Sequence, residues 1–98
     1  MIRIALPYHL QVLASSGRIV DLDVSAPVTL GRACDALEEC YPVLRGTFRD
    51  RRSGERRPFI RFYACDLDLT HEPADTLLPA AVSEGREALF LVGAMAGG

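Results

Sequence analysis

The sequence predicts an α+β domain, a mixed sheet with one main helix against one of its faces. Three observations predict it. Apolar residues alternate over the first six positions and again near 19–24, and one stripe of helical spacing runs from Leu30 to Leu44. Close to the end, Ala88-Leu89-Phe90-Leu91-Val92 is apolar throughout, as a central strand covered on both faces requires. At 98 residues, 49% hydrophobic and 24% charged, the chain has room for one globular domain.

Each element follows from local chemistry. Met1–Leu6 puts Ile2, Ile4 and Leu6 on one face of a strand, and Leu10–Ala14 extends this arm past Pro7. Ser15-Ser16-Gly17 turns the chain into Arg18–Val24, where Val20, Leu22 and Val24 oppose Ile19, Asp21 and Asp23; the two strands are expected to be antiparallel. Pro27-Val28-Thr29 starts a helix with Thr29 as N-cap, and Leu30, Ala33, Cys34, Leu37, Tyr41 and Leu44 form its apolar stripe. Pro42 ends the regular helix near Tyr41.

Gly46 to Pro58 is rich in arginine and reads as a polar surface loop. Phe59–Ala64 alternates as a strand, Asp66–Leu69 as a short edge strand, and Pro73–Ala81 as an irregular or 3₁₀ segment whose Leu77 and Leu78 plug the core. Ser83-Glu84-Gly85-Arg86 turns into the last strand. A first hairpin, one helix, and an apolar last strand beside the first make a β-grasp, with the second sheet face left open. Ile2, Ile4, Leu89 and Leu91 then face the helix. Phe59, Tyr63, Phe90 and Val92 gather on the open face as a partner-docking surface.

Composition excludes several functions. A net charge of −2 gives no bulk attraction to nucleic acid or anionic membrane, and no apolar run approaches the roughly 18 residues of a membrane span. Pro7 interrupts any signal-peptide core, and Cys34, Cys40 and Cys65 form no disulfide framework, so a cytoplasmic protein is expected. All 11 basic residues are arginine, which excludes Schiff-base lysine chemistry. His9 and His71 lie near prolines without a partner pattern and read as surface or capping residues. Asp21/Asp23 and Asp66/Asp68 read as solvated edges rather than a metal site, and Cys65 lacks a base. The Arg49–Arg57 run lacks stacking aromatics and reads as a solvated or protein-docking loop, so replacing Arg51, Arg52, Arg56 and Arg57 should barely change stability. No catalytic motif, bound cofactor or metal site is expected.

The end of the chain differs. An apolar strand runs into Ala94-Met95-Ala96-Gly97-Gly98, dividing the chain into a domain over 1–93 and a flexible tail over 94–98. Residues without a Cβ thread passages too narrow for others, and Ala94–Gly98 extended reaches roughly 17 Å.

Thr29-Leu30-Gly31 through Asp35-Ala36-Leu37-Glu38 to Tyr41-Pro42, Arg57-Pro58-Phe59-Ile60, Asp75-Thr76-Leu77-Leu78 and Leu91–Gly98 together resemble the ubiquitin-like sulfur carriers. That family holds the small subunit of molybdopterin synthase and the carriers of the thiamine and cysteine pathways. The arginine-rich loop leans toward the cysteine type; Cys65-Asp66 departs from the Asn-Gly turn common in the family. The resemblance implies chemistry done to the protein rather than by it. An E1-like activating enzyme would use ATP to adenylate the Gly98 carboxylate, and sulfur transfer would leave a thiocarboxylate for an acceptor synthase. Gly98 would carry the reacting carbon, with Gly97, Ala96, Met95 and Ala94 as the recognised lead. The alternative is a ubiquitin-like modifier joined through Gly98 to amines of target proteins.

Overall fold

The alternation at the start of the chain folds as β1 (Ile2–Ala5), and the second alternating run as β2 (Ile19–Leu22). The computed structural model describes residues 1–93. The tail residues Ala94, Met95, Ala96, Gly97 and Gly98 lie outside the described residues, and so does the expected domain-to-tail boundary. After β2 come the main helix α2 (Leu30–Cys40), a 3₁₀ turn at Pro42–Leu44, β3 (Ile60–Ala64), β4 (Leu67–Asp68) and β5 (Ala88–Gly93). The strands form one mixed sheet in the order β2-β1-β5-β3-β4. β5 lies between β1, to which it is parallel, and β3, to which it is antiparallel. The last strand is therefore central, and the fold is the expected α+β β-grasp.

One element departs from the expected order. Tyr8–Ala14 is a helix, α1, rather than an extension of the first strand. Proline lacks the N–H that a ladder needs, whereas its fixed φ suits the position just before a helix. Pro7 accordingly stands at the N-cap with φ −68°, and Ser15 closes the helix in the left-handed region. β1 and β2 still pair antiparallel, from Ile2 opposite Leu22 to Ala5 opposite Ile19.

The first turn of α2 shows why it starts where it does. N–H groups at a helix start lack intrahelical partners, and here those of Leu30, Gly31 and Arg32 find partners outside the helix ladder, which begins at Ala33. Leu30 and Gly31 donate to the carbonyls of Thr76 and Ala74, Arg32 to Thr29 Oγ1, and Ala33 to the Thr29 carbonyl. A Cβ on Gly31 would stand 3.0 Å from the Cβ and carbonyl oxygen of Ala74, so the glycine permits this close seam. Leu78 donates to Val28 O and is buried, but Leu77 points outward at 66% exposure, contrary to its expected core role. Ala80–Ser83 forms a further short helix, α3.

Ile2, Ile4, Leu89, Leu91, Ile60 and Phe62 meet Leu30, Ala33, Cys34 and Leu37 of α2 in the core. The arginine-rich segment contributes as well. Phe48, read as part of a polar loop, is fully buried. Between β3 and β4 the turn residues Cys65 and Asp66 both have positive φ, 51° and 64°. Left-handed geometry at both central residues is what a two-residue hairpin needs and what Asn-Gly usually supplies; here Cys-Asp adopts it.

Candidate functional site

The site is built around the end of β5. Cross-strand partners share a face, and the register places Ile19, Ala5, Phe90 and Tyr63 in one row across the sheet. Val92 pairs with Arg61 in the next row on that face. Phe90 and Tyr63 are half-buried and Val92 is exposed, while their neighbours Leu89 and Leu91 are buried against the helix side. Tyr63, Phe90 and Val92 thus stand together on the face α2 leaves uncovered. Phe59 does not join the row: it precedes β3 in a turn, and its ring meets His9 with centroids 6.3 Å apart. Ile19 and Ala5 complete the row from the other side; the opposition of Ile19 to Val20 was the sequence signal for it.

Gly93, the last described residue, pairs with buried Ile60. A Cβ there would lie 3.3 Å from His9 Cε1 and 3.9 Å from Pro7 Cβ. The start of α1 therefore packs against the covered side of the strand end, and a side chain at 93 would press on the imidazole. Beside it opens a groove of about 590 Å³, walled by Pro7, Tyr8, Phe90 and Val92, with Arg18 at its border.

The arginine segment is pinned. Arg49 grips Glu38 through two nitrogens, Nε to Oε2 at 2.9 Å and Nη2 to Oε1 at 2.8 Å, and also reaches Asp35. Arg56 donates to the carbonyls of Thr70, Arg57, Pro58 and Ile60, and Arg57 Nε donates to Gly46 O. Arg56 and Arg57 are therefore not the freely solvated side chains expected of a surface loop: their guanidinium groups donate to backbone carbonyls. Arg51 and Arg52 are exposed.

No family model matches the sequence, and no curated protein matches it. Solved structures do. SAMP1 of Haloferax volcanii, small archaeal modifier protein 1, shares 26% identity over 98% of this chain and 97% of its own, with a TM-score of 0.75. CysO of Mycobacterium tuberculosis aligns over 97% of this chain and 100% of its own at 20% identity and a TM-score of 0.75. The Amycolatopsis orientalis BexX/CysO complex contains a chain that matches end to end at 16% identity and a TM-score of 0.76. The chain has the ubiquitin-like β-grasp fold that these structures share.

The remaining reactive groups differ in their exposure and surroundings. Burial pushes the Cys34 thiol up to about 12, while Cys40 and Cys65 are exposed. The hydrogen bonds that Arg49 donates to the Glu38 carboxylate, and then to Asp35, raise its pKa above the ordinary value. Backbone N–H groups of Ser53 and Arg52 hold the Asp50 carboxyl below the usual range, and hydrogen bonding by Thr70 does the same for Asp68. Asp21/Asp23 and Asp66/Asp68 belong to no metal-binding cluster; among the described residues none exists. Nor is any described helix long and apolar enough to cross a membrane.

Proposed function

We propose that this protein is a sulfur carrier: Gly98 is adenylated by an ATP-dependent, E1-like enzyme and becomes a thiocarboxylate that gives its sulfur to an acceptor synthase. In this reading a Gly98 carboxylate oxygen attacks the α-phosphate of ATP and pyrophosphate leaves. A sulfur nucleophile then adds to the acyl carbon and AMP departs, so a poor electrophile is reached through a good leaving group. The chain itself binds no cofactor and catalyses nothing; it is a co-substrate. The observation that carries the reading is the central strand β5, held on both sides and running toward Ala94-Met95-Ala96-Gly97-Gly98. The uncovered row of Tyr63, Phe90 and Val92 beside that strand supports docking to the activating enzyme and the synthase. The complex of a related chain with BexX is in keeping with an enzyme partner.

A second reading, an amine-conjugated modifier, is favoured by the name of the Haloferax volcanii relative. Both readings share the adenylation and part at the acceptor. With the cognate activating enzyme, ATP and a sulfur donor, the native chain should gain the mass of one sulfur in place of one oxygen. Gly97→Phe should block this without lowering Tm, since positions beyond the last strand add little to the core. Amide-linked conjugates alone would favour the modifier, and a chain never adenylated would refute both.

A further inference from the structure

We propose that the polar cleft between α2 and the arginine-rich segment is a docking site for an acidic stretch of a partner protein, whose carboxylates are taken by Arg45, Arg51 and Arg52. The cleft has a volume of about 660 Å³ and lies on the helix side of the sheet, away from the open row of Tyr63, Phe90 and Val92. Its role does not depend on the carrier reading.

The cleft has a fixed frame. Buried Phe48 anchors the segment, the Arg57 N–H donates to Phe48 O at 3.0 Å and the Asp50 N–H to Glu55 O at 2.7 Å. With a bridge between Arg49 and Arg56, these bonds close the segment as a narrow hairpin. At its tip Asp50 Oδ2 accepts from the N–H groups of Arg52 and Ser53. Arg49 ties the hairpin to α2 through Glu38 and Asp35, and the side chains of Arg49 and Glu38 are only 15% and 16% exposed. Arg51 is positioned by its stem. A Cβ on Gly46 would stand 3.0 Å from Arg51 Cγ, so the aliphatic chain lies over that glycine, next to Arg45.

The charged groups of the cleft fall into two sets. Four arginines and four carboxylates line it, so they cancel in net charge. Asp35 and Glu38 are engaged by Arg49, and Asp50 by the backbone N–H groups and, at 3.8 Å, by Arg57. Glu39 stands at the border shared with the hollow of Asp21 and Asp23. Arg45, Arg51 and Arg52 make no ion pair among the described residues. Free guanidinium donors therefore stand beside acceptors that are mostly taken. A guanidinium takes a carboxylate through two parallel hydrogen bonds, and donors on a fixed frame lose less freedom in doing so. A nucleic acid is bound through a positive field along many phosphates. This neutral cleft offers none, and Asp35, 67% exposed, and Glu39 would repel such a backbone. Separate carboxylates on a peptide can meet the guanidiniums one by one.

The test titrates the full chain, isotope-labelled, with a capped tetraglutamate peptide and with tetraglutamine as control. The Nε–H resonances of Arg45, Arg51 and Arg52 should shift together and saturate with tetraglutamate alone. Those of Arg18 and Arg61, exposed and without an ion pair among the described residues, should stay in place. Arg51→Ser with Arg52→Ser should weaken the affinity about tenfold at unchanged Tm. The paired lysine variant should recover only part of it, since an ammonium is a point charge. Arg45→Gln lies outside the hairpin and should weaken binding as well, should the double variant disturb the fold. Shifts spread evenly over all exposed arginines, or an affinity indifferent to these substitutions, would overturn the proposal. So would a single-stranded oligothymidylate that binds more tightly than the peptide, or inorganic phosphate that moves the same three resonances as far. Shifts that grow with protein concentration in the absence of peptide would give the cleft to a second copy and equally overturn it.

Discussion

Arg56→Ser should destabilise the domain although the residue sits in what reads as a surface loop. Its Nε reaches Thr70 O at 3.1 Å, and its Nη1 is shared among Arg57 O at 2.9 Å, Ile60 O at 2.9 Å and Pro58 O at 3.3 Å. One nitrogen with two hydrogens cannot serve three carbonyls fully, so these contacts amount to two or three effective bonds. Hydrogen bonds to a charged group contribute roughly 1.5–3 kcal/mol each. The site is half-buried, and water recovers part of that, leaving a net loss of about 2 kcal/mol. For a domain of this size the loss lowers Tm by about 10 °C. Arg56→Lys should recover less than half, because an ammonium cannot span the start of β3 and the Thr70 carbonyl together. Exposed Arg51 and Arg52 are the controls, and their serine variants should stay within about 0.5 kcal/mol of wild type. Urea and thermal unfolding followed by circular dichroism decide the matter. If Arg56→Ser unfolds within 0.5 kcal/mol of wild type, the guanidinium is not holding the loop.

Phe48→Ala should cost about 3–5 kcal/mol, the range for emptying a fully buried aromatic site, and denaturation of a folded variant measures it. Phe90→Asp should keep the sheet, since the ring is only half-buried, yet on the proposed carrier reading weaken binding to an activating enzyme at least tenfold by calorimetry; equal affinity would remove the open face from the interface. A thiol reagent at neutral pH should add two labels to the native chain, at Cys40 and Cys65, and a third at Cys34 only after unfolding; mass spectrometry counts them. Asp50 and Asp68 titrate below the usual range when folded, so their contribution is present above the unfolded pKa near 4 and is lost as pH falls through the folded values. Tm should therefore decline below about pH 4, and less steeply in the double Asn variant.

Alternation and helical spacing carried most of the architecture. Ile2, Ile4, Leu89 and Leu91 declared the covered face by period, and the continuous apolar run at 88–92 declared the central strand. Period has no power over single residues. Phe48 stands alone among polar neighbours, and only the three-dimensional loop shows that it is a plug. Arginine misleads for a related reason: composition reads it as solvated, whereas a guanidinium can tie several backbone carbonyls together, as Arg56 does. Pro7 stops a strand and precedes a helix equally well, and Tyr8–Ala14 is too short for its pattern to decide between them. At the candidate site, the residues of the open row followed from alternation. The groove did not, because it depends on α1.

The place of β5 in the sheet has a mechanical consequence. A force applied at Gly93 along the strand runs parallel to the ladders with β1 and β3, loading them in shear. Their hydrogen bonds then resist together, whereas an edge strand drawn sideways would unzip them one at a time. Tension on the chain end meets the stiffest direction of the domain, so an enzyme that draws the end into a narrow passage can hold the protein like a bead on a tether without unravelling it.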